Sequence, residues 1–124
     1  MLGFQPVDRI HELFRDSWAV AVPSLWEEPF GHVAIEATMN GVPVVATNAG
    51  GLREIIHDGE TGFLCTPGDP ASLAAGLLNL LTDRELTERL GTSAHQLAME
   101  KFTEDRLIDQ FLGLYASIRQ TRTT

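Results

Sequence analysis

Length, composition and charge limit what this chain can be. It has 124 residues, of which 44% are hydrophobic and 21% charged, and 17 acidic against 9 basic side chains give a formal net charge of −8. These values are typical of one soluble domain. The acidic balance disfavours binding to nucleic acid, and no apolar run reaches the about 18 residues that a membrane span requires. A single cysteine, Cys65, excludes an internal disulfide and a zinc site built on several thiolates.

The amino end shows no pattern of an export signal. The segment MLGFQPVDRI lacks a basic start followed by an apolar stretch and a small-residue cleavage site. We therefore expect a cytoplasmic protein without a membrane span.

The first half of the chain alternates helical and strand-like patterns. Apolar residues three and four apart predict a helix over Asp8–Asp16, whereas short apolar runs that end at Pro or Gly predict strands. The first such run is apolar throughout, as in a strand that is covered on both faces. The further predicted elements are a strand over Trp18–Val22, a helix from near Gly31 to Gly41, a strand over Pro43–Thr47, a short helix over Leu52–His57 and a strand over Thr61–Cys65.

The second half of the chain is predicted to be wholly helical. Asp69 is suited to cap a helix that starts at Pro70, and Gly91 is expected to end a later one. The predicted helices are 70–81, 83–90, 92–101 and a last one from near 103. The last helix has apolar residues at steps of three and four, so one stripe should be buried. That stripe consists of Leu107, Ile108, Phe111, Leu114, Tyr115 and Ile118.

Strands that alternate with helices through short connections predict an α/β fold with a parallel sheet. About three strands are visible, so we expect a partial Rossmann-like sheet with flanking helices over about residues 1–68. A helical part over about residues 69–120 follows, and the whole chain is expected to form a single domain. In sheets of this kind, ligands bind outside the carboxyl ends of the strands.

The segment that leaves the first predicted strand carries two separated carboxylates. Residues 23–36 read PSLWEEPFGHVAIE and enter a helix. A proline and a glycine keep Glu28 in the loop, whereas Glu36 falls in the second helical turn, roughly 7–8 Å further along the axis. Free backbone N–H groups near the helix start lie between them and suit a phosphate. Along this segment, a carboxylate suited to hydroxyl groups is followed by N–H groups suited to phosphate and by a second carboxylate. A nucleoside diphosphate sugar carries hydroxyls, phosphates and hydroxyls in the same order.

A simpler interpretation stays open for these residues. Exposed glutamate is common and is favoured near a helix N-terminus, so Glu28 and Glu36 can be surface charges. Trp26 and Phe30 fit core or loop packing, and His32 fits an exposed histidine of the first helical turn.

A second segment, AGGLRE at residues 49–54, follows the next strand at the same edge of the sheet. Its glycine pair would let backbone approach a ligand closely, or would simply form a tight turn. Arg53 and Glu54 can reach a ligand or can be surface charges. The phosphate-loop, dinucleotide-binding and zinc-protease motifs are absent from the sequence, and Cys65 fits a buried structural thiol.

Five sequence blocks occur in an order and spacing typical of one family. They are residues 23–37, residues 41–47 with GVPVVAT, residues 50–54 with GGLRE, residues 58–62 with DGETG and residues 67–70 with PGDP. Together they resemble the C-terminal domain of family 4 (group 1) retaining glycosyltransferases, which have the GT-B fold. The resemblance covers nearly all of the chain and includes the spaced pair of glutamates at positions 28 and 36.

The resemblance implies a role for each site residue. Glu28 would contact the transferred sugar as the catalytic residue, and Glu36 would bind the ribose hydroxyls. The remaining donor-binding residues that the resemblance implies are Phe30, Gly31 and His32, whose backbone would contact sugar or phosphates, and Gly50 and Gly51, which would line the same cleft. The family is similar in needing no metal for the sugar diphosphate, so we expect neither a metal nor a cofactor.

The chain also departs from the family pattern. Family members are several times longer, so the resemblance implies a truncated domain, half of a GT-B C-terminal domain, without the acceptor domain and without the upstream basic residues. Arg53 stands where proline is frequent.

Two functions follow as hypotheses. The first is the donor-binding part of a retaining glycosyltransferase that acts on an unknown acceptor. The alternative is a non-catalytic module that keeps the fold and mediates protein association. An uncovered first strand and an apolar last helix predict a homodimer or a complementing glycosyltransferase chain.

Overall fold

The computed structural model describes residues 2–121 as a parallel sheet with helices on both faces. Its strands are β1 (Val20–Val22), β2 (Val44–Thr47) and β3 (Gly62–Cys65). Its helices are α1 (Val7–Arg15), α2 (His32–Met39), α3 (Leu52–Ile55), α4 (Pro70–Thr82), α5 (Arg84–Lys101) and α6 (Glu104–Thr121). The predicted α/β class and the parallel sheet of three strands are therefore confirmed.

The sheet has the order β1-β2-β3, with both pairs parallel. All four residues of β2 are buried, as a central strand requires. In β1, however, Ala21 is exposed, so the expectation of a strand covered on both faces is wrong there. Within residues 2–121, β1 pairs with β2 alone and forms an edge of the sheet.

Two apolar clusters lie on opposite faces of the sheet because successive β2 side chains point in opposite directions. Val44 and Ala46 face the cluster that includes α2 and α3, and Leu52 is its largest fully buried member. Val45 faces the second cluster, which contains Leu80 of α4 and Leu90 of α5.

Gly91 does not end a helix, contrary to the prediction, and α5 continues from Arg84 to Lys101. The reason is packing against the turn that follows α2. A Cβ atom at position 91 would overlap the carbonyl oxygen of Gly41 and would lie 3.4 Å from Pro43 Cδ. Gly91 therefore brings α5 close to the backbone of that turn, and the helix accepts the lower propensity of glycine.

The apolar residues of α6 are largely exposed. The predicted burial of this stripe is wrong for the described chain, because these residues are still 45–63% exposed and none belongs to either apolar cluster. Across residues 2–121, no helix is long and apolar enough to cross a membrane.

Candidate functional site

The loop over residues 23–31 leaves the carboxyl end of β1 and turns sharply into α2. The turn depends on Gly31, which is buried and has a φ of 89°. A Cβ atom at this position would lie 2.9 Å from Leu52 Cδ2 and 3.1 Å from Ile55 Cδ1. Glycine thus satisfies both the left-handed backbone and the close packing of α2 on α3.

The N-terminus of α2 continues directly from this loop, and His32 and Val33 in its first turn are exposed. The Gly31 carbonyl accepts hydrogen bonds from the backbone N–H groups of Ala34 and Ile35, at 3.0 and 3.2 Å. No side chain among residues 2–121 caps this helix, and its first turn contains no acidic residue. The first N–H groups of α2 and the positive end of its dipole can therefore serve an anion.

Glu28 is half-buried in this loop and is oriented by Ser24. The Ser24 hydroxyl donates to Glu28 Oε2 at 3.1 Å, and the Ser24 carbonyl accepts from Thr47 Oγ1 at 2.8 Å. Both Ser24 and Thr47 are buried. The end of β2 thus holds the start of the loop, and the loop in turn directs the Glu28 carboxylate.

The glycine pair at positions 50 and 51 is needed for contact with the protein's own backbone. Gly50 has a φ of 51°, and a Cβ atom there would lie 2.6 Å from the Glu28 backbone nitrogen. The Gly51 N–H donates to the Glu28 carbonyl at 2.7 Å, and a Cβ atom on Gly51 would lie 2.9 Å from the Phe30 carbonyl oxygen. Of the two open interpretations, the structure favours a tight turn, which here supports the loop that carries Glu28.

Glu27 also takes part in this region, although no sequence pattern identifies it. Its Oε2 accepts a hydrogen bond from the Gly50 N–H and lies 3.5 Å from the Arg53 guanidinium. The pattern of the resemblance points to Glu28 and gives its neighbour no role. Arg53 is accordingly a partner of Glu27 here.

Glu36 faces a groove between α2 and α6 with a volume of about 1010 Å³. Phe30 and His32 line the same groove, and the Phe30 ring contacts the rings of His32 and Phe102 at centroid distances of 5.0 and 6.5 Å. His32 is exposed at the first position of α2, as predicted. Two basic residues, Lys101 and Arg106, also line the groove, and no sequence signal near the glutamates identifies them.

The structure thus brings the predicted residues together in two sets. The first set forms the contact between loop and turn and consists of Glu28, Gly50 and Gly51. The second set lies in the groove and consists of His32 and Glu36. Phe30 joins the sets, because its backbone contacts the turn and its side chain lines the groove. Core packing is wrong for both aromatic residues, because Phe30 is 47% and Trp26 is 65% exposed and neither belongs to an apolar cluster.

Cys65 is buried at the end of β3, as the sequence predicts. Burial raises the pKa of this thiol, and the nearby negative charge of Asp69 acts in the same direction. Within residues 2–121, no three His, Cys, Asp or Glu side chains lie close enough together to hold a metal ion.

Sequence comparison identifies the family. The model of the family "Glycosyl transferases group 1" matches residues 1–97. The chain is 39% identical over 119 residues to the D-inositol 3-phosphate glycosyltransferase of Acidothermus cellulolyticus. The aligned segment covers 96% of this chain and 26% of that protein. The chain is also 36% identical over 92 residues to the N-acetyl-alpha-D-glucosaminyl L-malate synthase of Bacillus anthracis. This aligned segment covers 74% of this chain and 24% of that protein. The chain therefore spans about a quarter of the length of these relatives.

Solved structures agree with this result. HepE from Anabaena, in complex with UDP-glucose, superposes with a TM-score of 0.86 at 34% identity, over 94% of this chain and 31% of that one. The C-terminal domain of a glycosyl transferase group 1 family protein, LpcC, from Francisella tularensis superposes with a TM-score of 0.76 at 31% identity, over 83% of this chain and 53% of that one. The chain belongs to the group 1 glycosyl transferases and matches part of their Rossmann-like C-terminal domain of the GT-B fold.

Proposed function

We propose that this chain is the donor-binding part of a retaining glycosyltransferase that transfers a sugar from a nucleoside diphosphate sugar to an acceptor. The observation that carries the proposal is the N-terminus of α2, which no described side chain caps and which joins the loop of Glu28 to the helix that carries Glu36. Membership of the family and the likeness to a UDP-glucose complex support the same conclusion.

In the proposed complex, the diphosphate lies at the N-terminus of α2. The backbone N–H groups of the first turn and the helix dipole stabilise the charge that develops on the departing nucleoside diphosphate. Glu28, oriented by Ser24, contacts the hydroxyls of the transferred sugar. Glu36, one helical turn or more further on, binds the ribose hydroxyls from the groove beside His32.

A binding titration tests this assignment. Calorimetry with the UDP, GDP and ADP sugars should give saturable binding for at least one of them, and Glu36→Ala should weaken it by about tenfold, since two hydroxyl contacts are lost. The control is Glu88→Ala, because Glu88 is also exposed but lies on α5 and pairs with Arg84. The absence of binding by every nucleotide sugar tested would contradict the proposal.

The proposal includes a reaction without a metal and with retention at the anomeric carbon. We expect the affinity for the nucleotide sugar to be unchanged by EDTA, and a loss of affinity would contradict this part. The glucose of UDP-glucose is α-linked. If UDP-glucose is turned over with retention, one-dimensional proton NMR should therefore show the α anomer of the glucose product first. Initial appearance of the β anomer of that product would mean inversion.

We further propose that a second copy of the chain, or a complementing glycosyltransferase chain, covers the edge of β1 and the apolar residues of α6. The exposed Ala21 of the edge strand and the 45–63% exposure of the α6 side chains favour such an association. Light scattering at increasing concentration should show a rising mass, and Phe111→Glu should reduce it. A monomer at high concentration would exclude the homodimer.

The cytoplasmic location stays a prediction, to be checked by cell fractionation.

A further inference from the structure

The Glu27 carboxylate joins two segments of the candidate donor site that are far apart in the sequence. One segment is the loop that carries Glu28, and the other is the turn at Gly50 and Gly51. Glu27 Oε2 accepts from the Gly50 N–H and lies 3.5 Å from the Arg53 guanidinium, which also donates to the Gly50 carbonyl at 3.4 Å. A single carboxylate therefore holds both the backbone of the turn and the first residues of α3.

The next residue, Glu28, is fixed at its backbone by the same turn. Its carbonyl accepts from the Gly51 N–H at 2.7 Å, and its backbone nitrogen lies within 2.6 Å of the position that a Cβ atom on Gly50 would occupy. A small shift between loop and turn would therefore displace the Glu28 backbone. Since a side chain follows its backbone, the direction of the Glu28 carboxylate would change as well.

We propose that Glu27 is a positioning residue, which holds the loop against the Gly50-Gly51 turn and thereby sets the direction in which Glu28 meets the transferred sugar. This inference rests on the proposed function for its consequence on sugar binding. Glu27 itself contacts the turn and does not take part in the chemistry. Its charge-assisted hydrogen bond is stronger than a neutral one and is directed at a backbone group, so it restrains geometry.

The exposure of Glu27 separates positioning from global stability. Its side chain is 77% exposed, so the ion pair with Arg53 contributes little to the free energy of unfolding. Glu60 is a matched control, because its side chain is also 77% exposed and pairs with a nearby side chain, His57, at 3.9 Å. The variants to compare are Glu27→Ala, Glu27→Gln and Glu60→Ala.

Amide NMR tests the contact without any ligand. Glu27→Ala should shift the N–H resonances of both Gly50 and Gly51 and speed hydrogen exchange of the Gly51 amide about fivefold, whereas the melting temperature stays unchanged. Glu27→Gln retains an acceptor oxygen and should restore the Gly51 value at least in part. A change confined to Gly50 would overturn the proposal, because the Glu28 backbone would then not depend on Glu27.

Binding measurements test the consequence. Glu27→Ala should raise the Kd for UDP-glucose about fivefold and the Kd for UDP less than twofold, since only the sugar contacts Glu28. An equal loss for both ligands would overturn the proposal, and so would a loss of the same size in Glu60→Ala. If the unmodified chain binds neither ligand, the same comparison is made with the GDP or ADP sugar that it does bind. If it binds none of these nucleotide sugars, the proposed function fails, while the Gly51 amide still decides whether Glu27 positions the loop.

Discussion

The region around Glu28, at the carboxyl ends of the strands, and the helix α6 are stabilised in opposite ways. Around Glu28, hydrogen bonds connect residues 23 positions apart, such as Thr47 with Ser24 and Gly50 with Glu27. In α6, the Ser117 hydroxyl donates to Leu114 of the same helix, and the apolar side chains are about half exposed. The first region is thus determined by long-range contacts and the second by local helix formation. We therefore expect the free energy of unfolding to depend on the sheet and its helices rather than on α6.

The largest difference should appear between two leucines. Leu52 is fully buried beneath the start of α2, whereas Leu112 of α6 is 61% exposed. Leu52→Ala should lower the free energy of unfolding by about 2–5 kcal/mol, because it removes buried contacts and leaves a cavity. Leu112→Ala should change it by less than about 0.5 kcal/mol. Urea unfolding followed by circular dichroism measures both, and equal losses would mean that α6 is part of the core.

Two helical glycines should respond with opposite signs. A Cβ atom at Gly91 would overlap the Gly41 carbonyl, whereas a Cβ atom at Gly113 of α6 would meet no described atom within 4 Å beyond its chain neighbours and the nearby backbone of its own helix. Gly91→Ala should therefore destabilise the chain by about 1–3 kcal/mol through overpacking. Gly113→Ala should be neutral or stabilise it by up to about 1 kcal/mol, because alanine favours the helix. Thermal unfolding of the two variants gives the signs directly, and a stabilising Gly91→Ala would contradict the close packing of α5.

The same contrast explains what could be predicted from the sequence. Local signals were sufficient for the order of the elements and for the cap at Asp69, because periodicity and capping act within a few residues. They failed at Gly91, where a contact with Gly41 decides the role of the glycine. They also failed for the coverage of β1 and α6, since burial depends on which neighbours are present.

For the candidate site, the sequence motif points to Glu28, Glu36 and the glycine pair, but not to how they are connected. The roles of these residues in donor binding stay predictions. Glu27 was missed because its significance comes from Gly50 and Arg53, which are brought to it only by the parallel pairing of β1 with β2. Lys101 likewise reaches the groove of Glu36 only through the path of α5.

A smaller effect is expected at the cap of α4, which lies on the sheet side of the comparison. Asp69 Oδ1 accepts from the N–H groups of Ala71 and Ser72, at 3.0 and 3.2 Å. Asp69→Ala should cost about 1 kcal/mol of unfolding free energy, and Asp69→Asn should cost less because asparagine also caps helices. Equal losses in the two variants, measured by urea unfolding, would show that the charge rather than the acceptor oxygen matters.

The smallest expected effect is the pH dependence of stability that comes from Cys65, whose burial distinguishes the sheet core from the exposed α6. Burial raises the pKa of the thiol, so the folded chain keeps its proton at a pH where the unfolded chain releases it. The resulting stabilisation is complete below the ordinary thiol pKa of about 8.5 and is lost as the pH rises through the raised value. Cys65→Ala removes the titration and adds a cavity cost that does not depend on pH. The stability difference between the native chain and this variant, measured by urea unfolding at pH 7 to 10, should therefore narrow as the pH rises, and a constant difference would mean that the thiol is not shielded from water.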